Sequence, residues 1–204
     1  MKGWHWMAWD GTGHSRSPIE GVENIFFARQ YTSGSGTPGY TNRLVWGFMH
    51  PMTPGYEDSK RRFTFELVDF LKPLTEEYAL ICVPHISPAG ERGHSDRLLE
   101  VASGAARILG SHVHVIDAIR AVRHLEDEEL SDSDKIRTAW EWSGADISAF
   151  RKAEVSTYLA RTGGRIRAAM DMVREHSAPG TVVAGVSWAF DFPHSFSYEQ
   201  TEGG

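Results

Sequence analysis

The sequence predicts an α/β fold in which a mostly parallel central sheet is flanked by helices. Three observations carry this. From Leu44 onward, short apolar runs alternate with segments whose apolar residues recur at helical spacing. Tyr78 to Val83 is continuously apolar and bounded by Pro84, as in a strand buried on both faces. Val155 to Leu159 runs into Arg161-Thr162-Gly163-Gly164-Arg165, and a helical pattern follows at once. Strands alternating with helices imply crossover connections, and hence parallel pairing.

The chain divides into residues 1–42, an extra N-terminal segment, and a regular part at 43–204. Trp4, Trp6 and Trp9 read as anchors that pin a terminal segment over the core, with a binding platform as the alternative. Gly34, Gly36, Pro38 and Gly39 punctuate the piece from Tyr31 to Tyr40, which makes it a loop. Leu44 to Met49 then reads as a strand. Ser59 to Leu74 is a helix on the spacing of Phe63, Leu67, Phe70, Leu71 and Leu74, with Pro73 marking its end. Tyr78 to Val83 is the buried strand. Ser95 to Leu109 is a helix stopped by Gly110, and His112 to Ile116 a short strand. Ser131 with Asp134 resembles a capping box ahead of a helix from Ile136 to Trp142. The last three elements are a strand at Val155 to Leu159, a helix at Gly164 to His176 and a strand at Thr181 to Phe190.

Composition bounds the function. The 204 residues, 41% hydrophobic and 24% charged, suit a soluble globular protein with an ordinary core. No apolar run approaches the length of a membrane span. The N-terminus has no basic region followed by an apolar stretch, so no signal peptide is expected. The single cysteine, Cys82, excludes an internal disulfide and suits a reducing compartment, so a cytoplasmic location is expected. A formal charge of −6 argues against a broad grip on nucleic acid, though not against a local basic pocket. A homo-oligomer is compatible with the sequence.

Two strand ends carry the chemistry, because sites in such folds lie at the carboxyl ends of the strands. One is the segment Pro84 to His94, which contains Glu91-Arg92-Gly93. The other is the turn from Arg161 to Arg165. A glycine turn between a strand and a helix N-terminus is suited to phosphate: unpaired N–H groups and the positive end of the helix dipole point at one place. Ten histidines show no paired-cysteine or His-Glu-x-x-His spacing, so no zinc site is signalled. Cys82, within an apolar strand, reads as an inert thiol.

From Ile81 to about Ala189 the chain resembles the ComF-type branch of the type I phosphoribosyltransferases. The residues that carry the resemblance are Val83-Pro84, Glu91-Arg92-Gly93, the helix Leu98 to Leu109, Arg120-Ala-Val-Arg123, Leu130-Ser131, Lys135-Ile136-Arg137, and the terminal strand, turn and helix around Thr162-Gly163-Gly164. The resemblance implies a type I phosphoribosyltransferase-like fold and a phosphorylated ribose or nucleotide as ligand. It implies that Arg161, Thr162, Gly163, Gly164 and Arg165 hold phosphate, with Glu91, Arg92 and Gly93 on the facing loop. Mg²⁺, held largely by substrate and water, is the cation implied for transfer or cleavage at ribose C1. The chain departs from the family where it counts: Thr157 and Tyr158 stand where two acidic residues hold the ribose hydroxyls, and the family's N-terminal zinc-binding cysteines are absent. Glu91, Arg92 and Tyr158 remain the catalytic candidates.

Each motif also has a plainer reading. Thr162-Gly163-Gly164 alone is a tight turn, and Glu91-Arg92 a local ion pair. Arg120 and Arg123, three apart, would share one side of a helix and meet the acidic run Glu126 to Glu129, itself most simply a solvated loop. A non-enzymatic binding or regulatory protein that kept the fold, to sequester a nucleotide or bind a protein partner, is the alternative to an enzyme.

Overall fold

A computed structural model describes residues 5–9, 14–15, 23–31, 39–89, 96–160 and 163–191. The elements are, in chain order, β1 (His5–Trp9), β2 (His14–Ser15), β3 (Glu23–Tyr31), α1 (Tyr40–Met49), α2 (Tyr56–Leu71), β4 (Tyr78–Cys82), α3 (Arg97–Leu109), β5 (Val113–Ile116) and β6 (Ile119–Ala121). After a 3-10 turn at Asp127–Glu129 come α4 (Ser133–Thr138), β7 (Trp140–Trp142), β8 (Lys152–Ala160), α5 (Gly164–His176) and β9 (Val182–Asp191). The strand order of the main sheet is β2-β1-β3-β9-β8-β4-β5. The five strands from β3 to β5 pair in parallel, and β1 and β2 add an antiparallel edge. This is the mostly parallel, helix-flanked α/β fold that the sequence predicts.

Side chains alternate across the pleat, so each central strand feeds two cores. Tyr78, Leu80 and Cys82 of β4 meet Leu67 and Leu71 of α2, Val101 and Ala105 of α3, and Trp188 of β9. Ala79, Ile81 and Val83 turn the other way, toward Ile166, Ala169 and Met170 of α5. The first core is aromatic, with Phe63 stacked on Trp188 at 4.7 Å and Phe48 edge-on to both. The second is largely aliphatic, with alanines among its isoleucines and valines, and a glycine in β9 lets α5 lie close. A Cβ on Gly185 would stand 2.9 Å from the Met170 sulfur. Each fully buried large side chain contributes roughly 1.5–3 kcal/mol.

Several expectations need correction. Leu44 to Met49 is not a strand but the body of α1: Leu44, Val45, Gly47 and Phe48 are buried while Trp46 faces out, a helical stripe that a six-residue apolar run disguises. The helix expected over Ile136 to Trp142 ends at Thr138, and Trp140–Trp142 pairs antiparallel with Ile119–Ala121. Its N-cap is Asp132, whose carboxylate accepts from the amides of Asp134 and Lys135 at 3.0 and 3.2 Å, rather than Ser131. Arg120 lies in β6, so it and Arg123 do not share a helical side. Strands β1 to β3 fall in a stretch where the sequence reading had placed none. The side chains of Trp6 and Trp9, and Trp4 and residues 32–38 altogether, lie outside what is described.

Candidate functional site

The carboxyl end of β8 and the start of α5 form one wall of a cavity of about 210 Å³. The turn between them depends on two glycines. Gly163 has φ +78°, a left-handed conformation that side chains disfavour, and it caps α5 with no side-chain hydrogen bond. Gly164 is packed against backbone: a Cβ there would stand 2.9 Å from the Leu130 carbonyl oxygen and 3.0 Å from that of Ser131. The first amides of α5 therefore sit at the cavity with the helix dipole behind them.

Thr157 and Tyr158 bring side chains to the same cavity. Thr157 is 2% exposed. The Tyr158 ring packs on Phe48 at 5.6 Å, so the aromatic core fixes its position. Met49, at the end of α1, and Ile86, beyond β4, supply apolar wall, and Asp127 of the 3-10 turn also lines the cavity.

Arg165 is the cation of the site. Its Nη2 donates to the Pro84 carbonyl oxygen, across 81 residues of sequence, and the Tyr158 phenol is hydrogen-bonded to the guanidinium. Its Nε is buried with no partner. Burial pulls its pKa down and Tyr158 opposes the shift, yet an arginine stays charged. Its partners are a carbonyl and a phenol, and none of the described ion pairs neutralises it. A part-buried charge without a counter-ion is costly, and an anionic ligand at this cavity would relieve that cost.

A second cavity, of about 280 Å³, flanks the other side of the segment after β4 and is lined by Asp96, Asp117 and Glu141 together with Arg120. Cys82 opens toward it, but burial and then the Asp117 charge raise the thiol pKa well above its usual range, which leaves it protonated and unreactive. His85 accepts the Ser87 amide at Nδ1 (3.2 Å), and Ser87 Oγ lies 2.8 Å from His124 Nδ1. These bonds stiffen the segment.

Of the residues that the sequence singled out, Tyr158, Gly163, Gly164 and Arg165 converge on the 210 Å³ cavity. Glu91, Arg92, Gly93, Arg161 and Thr162 lie outside the described residues. Arg123 pairs with Glu129 through both carboxylate oxygens, at 2.8 and 2.9 Å, as the acidic-run reading allowed. Sequence reasoning did not single out Met49, Ile86 or Asp127, although Ile86 lies in the Pro84 to His94 segment that it named and Asp127 in the acidic run Glu126 to Glu129. Among the described residues no group of three or more His, Cys, Asp or Glu is placed to hold a metal ion. Asp127 gives the cavity a single carboxylate, a donor set suited to Mg²⁺ only if a ligand's phosphates and water complete the octahedron. No described helix is long and apolar enough to cross a membrane.

No family model matches the chain, and no curated protein matches it. Among solved structures the chain is similar to a hypoxanthine phosphoribosyltransferase from Staphylococcus aureus, at 9% identity and a TM-score of 0.42, over 71% of this chain and 83% of that one.

Proposed function

We propose that this protein binds a phosphorylated ribose or a nucleotide at the carboxyl end of β8, with the phosphate at the α5 N-terminus. The observation that carries the reading is Arg165, a part-buried cation with no carboxylate partner among the described residues, beside the N-terminus of α5 and the Thr157 hydroxyl. The resemblance to ComF-type phosphoribosyltransferases supports it in a specific way. Val83-Pro84, Leu130-Ser131 and Gly163-Gly164, far apart in sequence, meet around this cavity through the Pro84 carbonyl and the Leu130 and Ser131 carbonyls.

Binding is better supported than transfer. Cleavage at ribose C1 passes through a cation-like sugar and releases a diphosphate, and both need negative groups and a divalent cation placed around them. Thr157 and Tyr158 supply hydroxyls in place of a carboxylate pair. Arg165 spends one nitrogen on Pro84, so it acts as a wall of fixed charge as much as a ligand clamp. The role that follows is sensing or sequestering a phosphorylated ribose or nucleotide, with Mg²⁺ entering only as companion to a diphosphate.

Calorimetric titration with phosphoribosyl diphosphate, with and without Mg²⁺, beside ribose 5-phosphate and nucleoside monophosphates tests this. Binding of monophosphates without Mg²⁺ is the expected result. Binding of the diphosphate alone, and only with Mg²⁺, would favour a surviving transferase. No binding by any of them refutes the reading.

A further inference from the structure

The outer face of α3 has nearly the same chemistry from either end. Residues four apart on a helix stack in rows, so Leu99-Ser103-Arg107 and Glu100-Gly104-Ile108 form two adjacent rows. All six line a shallow groove of about 830 Å³ between α2 and α3. About the midpoint between Ser103 and Gly104, Glu100 and Arg107 are equidistant and opposite in charge, while Leu99 and Ile108 are equidistant and both apolar. The pairs stand about 5 and 7 Å from that point along the helix. Ile108 is 54% exposed, and Arg107 makes no hydrogen bond or ion pair among the described residues. Glu100 bonds only Lys60, at 3.3 Å, whose ammonium also serves Glu57. Helix α2 runs alongside in the same direction: Lys60 reaches Glu100, and Thr64 lies so close to Gly104 that a Cβ there would stand 3.2 Å from it. Exposed Phe65 of α2 flanks the groove. The stripe is therefore low at its centre and apolar at its rims.

We propose that a second copy of this chain docks here, α3 against α3 in antiparallel, around a two-fold axis through Ser103–Gly104. Arg107 of each copy then meets Glu100 of the other, and Ile108 covers Leu99. Serine and glycine at the axis let the two helices approach closely. The parallel alternative would set Glu100 on Glu100 and Arg107 on Arg107, which like-charge repulsion opposes. The flanking charges agree with the antiparallel choice. At the head of the groove Glu57, Asp58 and Asp96 outnumber Lys60 and Arg61, while Asp69 and Lys72 offset one another at its tail and leave Arg107 to set the sign. An acidic head on a basic tail is satisfied twice in one symmetric contact.

Sedimentation velocity of the full chain over a range of concentrations, from about 1 to 200 μM, tests this, with circular dichroism to confirm folding of each variant. The wild type is expected to pass from monomer to dimer within that range. Every substitution counts twice in a symmetric contact, so Ile108→Lys should weaken the dimer by about 100-fold and Arg107→Glu by about tenfold. Glu100→Arg combined with Arg107→Glu restores the complementarity with the signs exchanged, and should return the affinity to within about fivefold of the wild type. A monomer at every concentration overturns the proposal. So does a dimer that neither Ile108→Lys nor Arg107→Glu weakens, since it would form through another face. A charge exchange that recovers nothing over Arg107→Glu alone overturns the antiparallel register.

Discussion

Two glutamates withdrawn from solvent, Glu66 of α2 in part and Glu154 of β8 fully, meet opposite fates. Glu66 is surrounded by donors. Arg29 of β3 reaches it through two nitrogens, one of them at 2.8 Å. Trp188 donates its indole N–H at 2.8 Å, and Arg62 approaches at 2.6 Å. Glu154 is 4% exposed, lies between β4 and β9, and has an oxygen with no partner. Tyr78 nearby has an unpartnered hydroxyl, as does Ser156 on the same strand. Burial opposes the charge on Glu66, but the bonds from Arg29 and Trp188 outweigh it and carry the carboxyl below its usual range. Burial pushes Glu154 up to about 7, against the weaker pull of Lys152. Burial alone does not set a charge state; the donors within reach do.

The two groups also give stability opposite pH dependences. The Glu66 carboxyl is depressed in the folded state, so its contribution is present above the ordinary glutamate range and is lost as pH falls through the folded value. Glu154 is raised, so the folded state holds its proton more tightly. Its contribution is complete below the ordinary glutamate range and is lost as pH rises toward about 7.

Removing the donors should have the largest effect. Arg29→Met leaves Glu66 with part of its charge uncompensated, and we expect a loss of about 3 kcal/mol in urea unfolding at pH 7. A loss under 0.5 kcal/mol, roughly what an exposed pair contributes, would erase the contrast. Next, Glu154→Gln should stabilise the fold by up to about 3 kcal/mol at pH 8 and by little at pH 5, flattening the alkaline side of the stability profile. An equal effect at both pH values would mean that Glu154 does not titrate as described. Smaller still, Arg29→Met combined with Glu66→Gln should recover most of the Arg29→Met loss, to within about 1 kcal/mol of the wild type, because no charge is then left alone and the Trp188 indole keeps an acceptor. The smallest expected change is Tyr78→Phe, which deletes an unpartnered hydroxyl and should raise stability by less than about 1 kcal/mol. A loss instead would reveal a bond to that hydroxyl.

The sequence made one side of this contrast invisible. Arg29, Glu66 and Trp188 come from three distant segments, and nothing in their local spacing joins them. Glu154 reads as an ordinary polar residue at the start of a strand, since burial is a property of the neighbours. By contrast α5 was legible over its whole length, Gly164 to His176, because the glycine turn before it and the periodicity within it are local. The buried strand at Tyr78–Cys82 was legible for the same reason. At the candidate site the glycines could be read and Arg165 could be named, but its attachment to Pro84 could not. Asp127 could be read only as one of several neighbouring acids, because which member of a charge run lines a cavity is set by segments distant in sequence.

The pairing of β3 with β9 bears on how the molecule is made. Ile25 lies beside Gly185 and Tyr31 beside Asp191. As the chain emerges from the ribosome, β4, β5 and β8 can assemble while β3 still lacks its parallel neighbour. Arg29 can already find Glu66, which tethers the early strand to α2, but one edge of β3 has nothing to pair with until β9 has been synthesised. Closing so long a loop is slow relative to local pairing, and an open edge in that interval is a place for neighbouring nascent chains to add on. Crowded polysomes are therefore a setting in which this fold's late-paired edge is exposed to aggregation.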